Sequence, residues 1–231
     1  MIIDSIVKCI IQPVARGDTP GPPSAPWHPS TLLDGHEGFY ADFSTMDGIV
    51  RDGDTWMLGE HIFTGRRSPQ LVNGGIAFDS SIGQLLEGAD RLAPIMGRYP
   101  ITIAMNIASV ASGQINTGVI AHQSAFYILG CEGSKGYVAT RNPSYVESSA
   151  QGSGGGVILG DYRADRTGVY YNGALPSYHT SQPALNDIAT EISIGGLSDG
   201  SPTYGTGVLK SVFMVNRSLT DEERQKLLDY M

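Results

Sequence analysis

The sequence predicts an all-β protein, a jelly-roll β-sandwich with a short C-terminal helix and an extended N-terminal arm. Three observations carry that prediction. Short strand-like runs recur from about residue 48 onward, separated by Gly/Asn/Ser turns, the pattern of a sandwich or barrel. The 231 residues include 30 glycines and 13 prolines, well above the ~12% of average usage. The last long run, Val208 to Asn216, is apolar on both faces and leads directly into a helix start.

The elements follow in order. Met1 to Val14 holds Ile2, Ile3, Ile6, Val7, Ile10 and Ile11 but also Asp4, with no positive start, so it is a poor signal peptide. It reads as a strand or helix docked on the body or on a neighbouring subunit. From Asp18 to Pro29 the chain is proline-rich, hence extended and semi-rigid. Residues 1–30 are therefore expected to form a docking arm and linker, and residues 31–231 one sandwich domain, a length that suits a single core. Strands are expected at 48–51, 75–80, 101–107, 118–121, 125–131, 136–141, 157–162, 168–171, 191–194 and 208–216. Ile101, Ile103, Met105 and Ile107 alternate with Thr102, Ala104 and Asn106, the period of a half-buried strand. Asn172-Gly173 signals a hairpin, because both turn positions need φ > 0. Ile82, Leu85, Leu86 and Ala89 stand at helical spacing, which predicts one surface helix over 81–92. The stretch 142–156 is expected to be a long surface loop.

The C-terminus is the most legible part. Leu209, Ser211, Phe213 and Val215 are placed on one face of the last strand, and Val208, Val212 and Met214 on the other. A strand apolar on both faces belongs in the middle of a covered sheet. Thr220 and Glu223 form a T-x-x-E capping box. Asp221, Glu222 and Glu223 sit where the helix dipole favours negative charge. A helix of about three turns is not stable alone, so it must pack on the sandwich.

Charge excludes some partners. The net charge is −8, and Arg66-Arg67 is the one adjacent basic pair. Nucleic-acid binding needs a dense positive footprint, so it is not expected. No apolar run reaches the ~18 residues of a membrane span. Cys9 and Cys131 make neither a disulfide framework nor a metal pair, and Cys131 reads as a small buried hydrophobe. The five histidines, His28, His36, His61, His122 and His179, show no metal-ligand spacing. Gly196-Leu-Ser-Asp-Gly200 spells G-x-S-x-G, but Ser201-Pro202 after it cannot start the helix a nucleophile elbow needs.

Two stretches carry a family resemblance. The ending Val208–Arg217 followed by Ser218-Leu219-Thr220-Asp221-Glu222-Glu223 resembles the close of laminin G-like domains of the concanavalin A-like lectin/glucanase superfamily. Thr167-Gly-Val-Tyr-Tyr-Asn-Gly173 resembles a hairpin of the same domains. Leu32 to Met46 is similar to an opening found in bacteriophage virion proteins, with Gly35, Glu37, Gly38, Tyr40, Asp42, Ser44, Thr45 and Met46 matching in kind. There Phe39 replaces a tryptophan and a Pro-Ser pair is missing. The resemblance implies a non-enzymatic virion structural protein, either a tail fibre or spike or a capsid decoration or head fibre. It would sit on the particle surface as a homo-oligomer, dock on other virion proteins through its arm and attach to host-surface glycans. The alternatives are a polysaccharide-degrading glycosidase or lyase of the superfamily, or an adhesion module of a bacterial cell surface. The superfamily's glycosidases carry E-x-D-x-E on one strand, which puts both catalytic carboxylates on one face. Its lyases carry Q-(I/V)-H and R-x-E-x-R. None of these occurs in this sequence, so no catalytic residue is expected.

A glycan site needs exposed aromatic rings beside planar polar groups. Tyr145, Tyr178, His179 and Tyr204 stand in or beside Gly/Ser/Asn-rich segments and are the ligand-binding candidates. No cofactor is expected apart from calcium, for which Asp52 and Asp54 are the candidates. They offer two oxygen donors around Gly53, and some laminin G-like domains bind calcium at one edge of the sandwich.

Overall fold

The computed structural model describes residues 26–121, 125–141, 145–151, 155–171, 175–180, 189–197 and 205–231. The arm before Pro26, Cys9, His122, the Asn172-Gly173 turn, the G-x-S-x-G serine and Tyr204 lie outside those residues.

After a 3-10 turn at Pro29–Leu33 come β1 (Gly38–Asp42), β2 (Ile49–Asp52), β3 (Thr55–Leu58), β4 (His61–Arg66), β5 (Gln70–Val72), β6 (Gly75–Phe78) and β7 (Leu85–Gly88). A five-residue helix, α1 (Leu92–Met96), precedes β8 (Ile101–Ser112), β9 (Gln114–Ala121), β10 (Ala125–Glu132), β11 (Lys135–Arg141) and β12 (Tyr145–Gln151). The chain ends with β13 (Gly156–Tyr162), β14 (Thr167–Tyr171), β15 (Ser177–His179), β16 (Glu191–Ile194), β17 (Thr206–Val215) and α2 (Asp221–Tyr230).

These strands form two antiparallel sheets, and the protein is a β-sandwich of jelly-roll type. The first sheet runs β15-β14-β13-β8-β17-β6-β5, with β1 pairing the later half of β17. The second runs β12-β11-β10-β9-β16-β7-β4-β3-β2. Their facing sides share one core. Phe39, Trp56, Phe63 and Phe78 fill one end, and Tyr127, Tyr162 and Tyr171 fill the other. Each such buried ring contributes on the order of 1.5–3 kcal/mol relative to exposure.

A second apolar cluster lies outside the first sheet. Leu32, Tyr40, Ala104, Leu159, Phe213, Val215, Leu219 and Leu227 are buried there, between the strands and α2. So β17 is covered on both faces, as its sequence requires. The helix start is the expected capping box: Glu223 N–H donates to Thr220 Oγ1 at 3.2 Å and Thr220 N–H donates to Glu223 Oε2 at 2.8 Å. Cys131 is buried in the core, where burial pushes its thiol pKa up.

Three expectations need correction. Residues 81–92 hold no helix of their own; Leu85–Gly88 is β7, bonded to β4 on one edge and β16 on the other. Gly83 at φ 66 breaks any helix there, and two strand partners outweigh a chance helical spacing. The expected loop at 142–156 contains β12, an edge strand paired with β11 along its length. Its polar residues hid it, since an edge strand need bury little. Finally, Leu209 does not share a face with Phe213. A register irregularity between Leu209 and Ser211 turns Leu209 into the main core with Val212 and Met214.

Candidate functional site

The site is built on the outer face of the first sheet, where β13, β14 and β15 meet the start of α2. Alternation along β13 sends Ile158, Gly160 and Tyr162 inward and Leu159 and Asp161 outward. Along β14 it sends Val169 and Tyr171 inward and Gly168 and Tyr170 outward. Register then aligns Asp161, Gly168 and Tyr178 across three strands.

Tyr178 lies over Gly168. A Cβ on that glycine would stand 2.6 Å from the tyrosine Cε1, so no other residue leaves room for the ring in this place. Tyr170 meets Tyr178 edge to face, with ring centres 6.1 Å apart and hydroxyls 3.2 Å apart. The Arg166 guanidinium carbon stands 4.9 Å from the centre of the Tyr178 ring, a cation–π contact. Held on these sides, Tyr178 still keeps 43% of its surface exposed. A cleft of about 290 Å³ opens beside it, lined by Tyr170, Pro176, Tyr178, Asp221, Arg224, Gln225 and Leu228.

The charges beneath the cleft are mostly spent on one another. Asp161, 3% exposed, accepts from Arg163 Nε at 2.7 Å and from Ser218 Oγ at 3.2 Å. Arg224 stands 3.7 Å from Asp161, pairs with Asp221, donates to Leu219 O at 2.7 Å and stacks on Tyr170 at 4.8 Å. Arg166 differs: among the described residues no carboxylate lies within ion-pair distance of it. Burial, with the Tyr178 hydroxyl second, pushes the Tyr170 pKa up to about 12. Tyr170 is therefore a neutral hydrogen-bonding group at ordinary pH.

The sequence-predicted residues separate. Tyr178 is in the cleft. His179, its neighbour, points to the other side of the edge strand: its Nδ1 is 3.0 Å from Ser148 Oγ and its Nε2 3.4 Å from Thr140 Oγ1. It links β15 to the edge of the second sheet, and burial lowers its pKa. The backbone of Tyr145 opens β12, while its side chain, like Tyr204, lies outside what the structure describes. Asp52 and Asp54 flank Gly53 at the tip of the β2–β3 hairpin, where Asp54 accepts from Ser68 Oγ at 2.8 Å. Among the described residues no three His, Cys, Asp or Glu side chains stand together as a metal set. Tyr170, Arg166 and Gln225 were not singled out by the sequence. The usable signal was the i, i+2, i+4 spacing of Arg166, Gly168 and Tyr170 on one strand face.

A larger groove, about 430 Å³, lies at the other end, where the chain enters the sandwich. His28, His36, Glu37, Tyr40, Asp47, Glu60 and His61 are in its wall. His28 bridges Ser30 Oγ at 2.8 Å and Asp47 at 2.7 Å, and His61 meets Asp90 at 2.9 Å. His28 Nδ1 also accepts the Ser30 N–H, which makes it the cap of the Pro29–Leu33 turn.

No protein-family model and no curated protein sequence matches the chain. Solved structures do. The chain is similar to the binding domain of botulinum neurotoxin serotype D/C, with a TM-score of 0.59 at 10% identity, over 86% of this chain and 53% of that one. It is similar to Trypanosoma rangeli sialidase in complex with sialic acid, with a TM-score of 0.55 at 14% identity, over 84% of this chain and 33% of that one. It also matches the Ruminococcus gnavus IT-sialidase CBM40, with a TM-score of 0.47 at 15% identity, over 59% of this chain and 85% of that one. At these identities the first two likenesses establish the sandwich fold and nothing further.

Proposed function

We propose that this chain is a non-enzymatic structural protein of a bacteriophage particle, in a tail fibre or spike or as a capsid decoration or head fibre, and that its sandwich attaches to surface glycans. The observation that carries the glycan reading is the Tyr178 cleft. It holds a ring fixed on Gly168 and Tyr170, left 43% exposed, beside Asp221, Gln225 and the tyrosine hydroxyls. Sugars offer apolar C–H faces and dense hydroxyls, and this wall offers matching rings, donors and acceptors. The solved structures of similar fold are a toxin's binding domain and a sialidase with sialic acid; that likeness is of fold, and the reading rests on the cleft. The virion reading is supported by the Leu32–Met46 opening and by the apolar, proline-tethered N-terminus. A single shallow cleft binds weakly, and many copies on one particle multiply it.

The test uses particles with and without this protein. Complete particles should adsorb to host cells several-fold faster than particles lacking it. Equal adsorption removes the adhesive role and leaves an architectural one. Incubation of the protein with bacterial polysaccharides should release no new reducing ends or unsaturated products; sustained release would instead support the glycosidase or lyase reading.

A further inference from the structure

We infer that the Tyr178 cleft selects carboxylated sugars, with Arg166 as the residue that reads the carboxylate. The inference rests on the glycan-binding reading above and names the ligand class of the same site.

The argument is one of charge inventory. Three arginines stand in this part of the fold: Arg224 lines the cleft with Asp221, Arg163 lies beneath it on Asp161, and Arg166, outside the lining itself, stands against the Tyr178 ring that does line it. Arg163 and Arg224 converge on the buried Asp161, and Arg224 also holds Asp221. Those two cations are structural: removing either would take a partner from the Asp161 charge, which is only 3% exposed. Asp165 is exposed, adjacent in sequence to Arg166 and not ion-paired with it. That leaves Arg166, half-exposed, with no carboxylate partner among the described residues and with its position set by the Tyr178 ring at 4.9 Å. The contact with the ring restricts where the guanidinium sits, and it uses the π-face of Tyr178 and none of the guanidinium N–H groups. A guanidinium already held in place loses less entropy when it grips a carboxylate with two parallel hydrogen bonds. In a protein of net charge −8, Arg166 is the one of these three cations left without a carboxylate partner among the described residues. A neutral sugar would use the rings, Gln225 and the hydroxyls but leave Arg166 unused. An acidic sugar would use all of them. A carboxylate can come from a nonulosonic acid or from a uronic acid, and the experiment separates the two.

The full-length protein is titrated with N-acetylneuraminyl-lactose beside lactose, and with a galacturonic-acid trimer beside its carboxyl-reduced counterpart. At least one acidic probe should bind about ten-fold more tightly than its neutral partner, the size expected of a charge-assisted pair. Arg166→Gln should reduce the acidic probe to the neutral one's affinity with an unchanged melting curve. Arg166→Lys should restore part of the preference, and raising the salt concentration should weaken the acidic probe alone. Tyr178→Ala should weaken acidic and neutral probes together. Equal binding of both members of each pair overturns the selectivity and leaves the glycan reading standing. Retention of acid preference in Arg166→Gln also overturns it. Failure of every probe to bind, singly or on a multivalent support, overturns both.

Discussion

Glu223 ties the last strand to the closing helix, and its replacement by glutamine should reveal a pH-dependent share of stability. Its carboxylate accepts from Arg217 Nη1 and Nη2, both at 2.9 Å, and from Thr220 N–H at 2.8 Å. The Arg217 hydrogen bonds first, and the Thr220 cap after them, hold its pKa at about 2 against an ordinary 4.5. A shift of that size is nominally ~3.4 kcal/mol at 1.36 kcal/mol per pKa unit. The carboxylate is 29% exposed, so solvent and salt screen the pair and ~1–2 kcal/mol is the reasonable expectation. The folded pKa is the lower one. The stabilisation is therefore fully present above about pH 4.5 and is lost as pH falls through about 2. Glu223→Gln keeps the volume and one acceptor but removes the charge and the two-pronged grip on Arg217. In urea melts the gap between wild type and variant should be ~1–2 kcal/mol at pH 7 and close to zero at pH 2. Taking the gap cancels other groups that titrate in that range. A gap that is the same at both pH values, or absent at pH 7, would refute the role assigned to the carboxylate.

Other outcomes follow from the same packing. Phe213→Ala, which empties a fully buried site beneath α2, should cost ~3–5 kcal/mol in the same melts. Thr220→Ala should cost ~1 kcal/mol through the lost cap, and negligible losses for both would sink the strand–helix account. Gly168→Ala should displace the Tyr178 ring, whose Cε1 is 2.6 Å from the new Cβ, and cut glycan binding more than it shifts the melting curve. Removal of residues 1–25 should leave the melt unchanged and abolish assembly. The deletion stops at 25 because Trp27 packs edge-on to Tyr230 at 5.6 Å and His28 bonds Asp47. Normal assembly of the truncated chain would end the docking-arm idea.

Where the sequence was legible, a local rule and the tertiary need coincided. The capping box is set by two residues three apart, and β17 advertises its central place by being apolar on both faces. Elsewhere the signal was shared or weak. Leu85 and Leu86 are both fully buried, so their adjacency fits a helix as well as a strand enclosed on both sides. In β12, polar residues satisfy an edge, with Glu147 paired to Lys135 across the ladder. β3 was not among the expected strands: Trp56 and Leu58 alternate with Thr55 and Met57, but over a segment too short to stand out. At the site, Tyr178 was visible as a tyrosine in a turn-rich context. Its partners were not, because Arg166, Gly168 and Gln225 become neighbours through cross-strand register and through the helix that closes the fold. His179 carried the same local signal as Tyr178, and alternation alone turned it toward the opposite sheet.

The most direct measurement is a multivalent glycan array probed with wild-type protein and with Tyr178→Ala at matched melting temperature. The account predicts that wild type is retained on a defined set of glycans and that Tyr178→Ala loses that retention by about ten-fold or more, in the range of one removed stacking and hydrogen-bonding anchor. Retention of the variant on the same glycans at wild-type strength would contradict it.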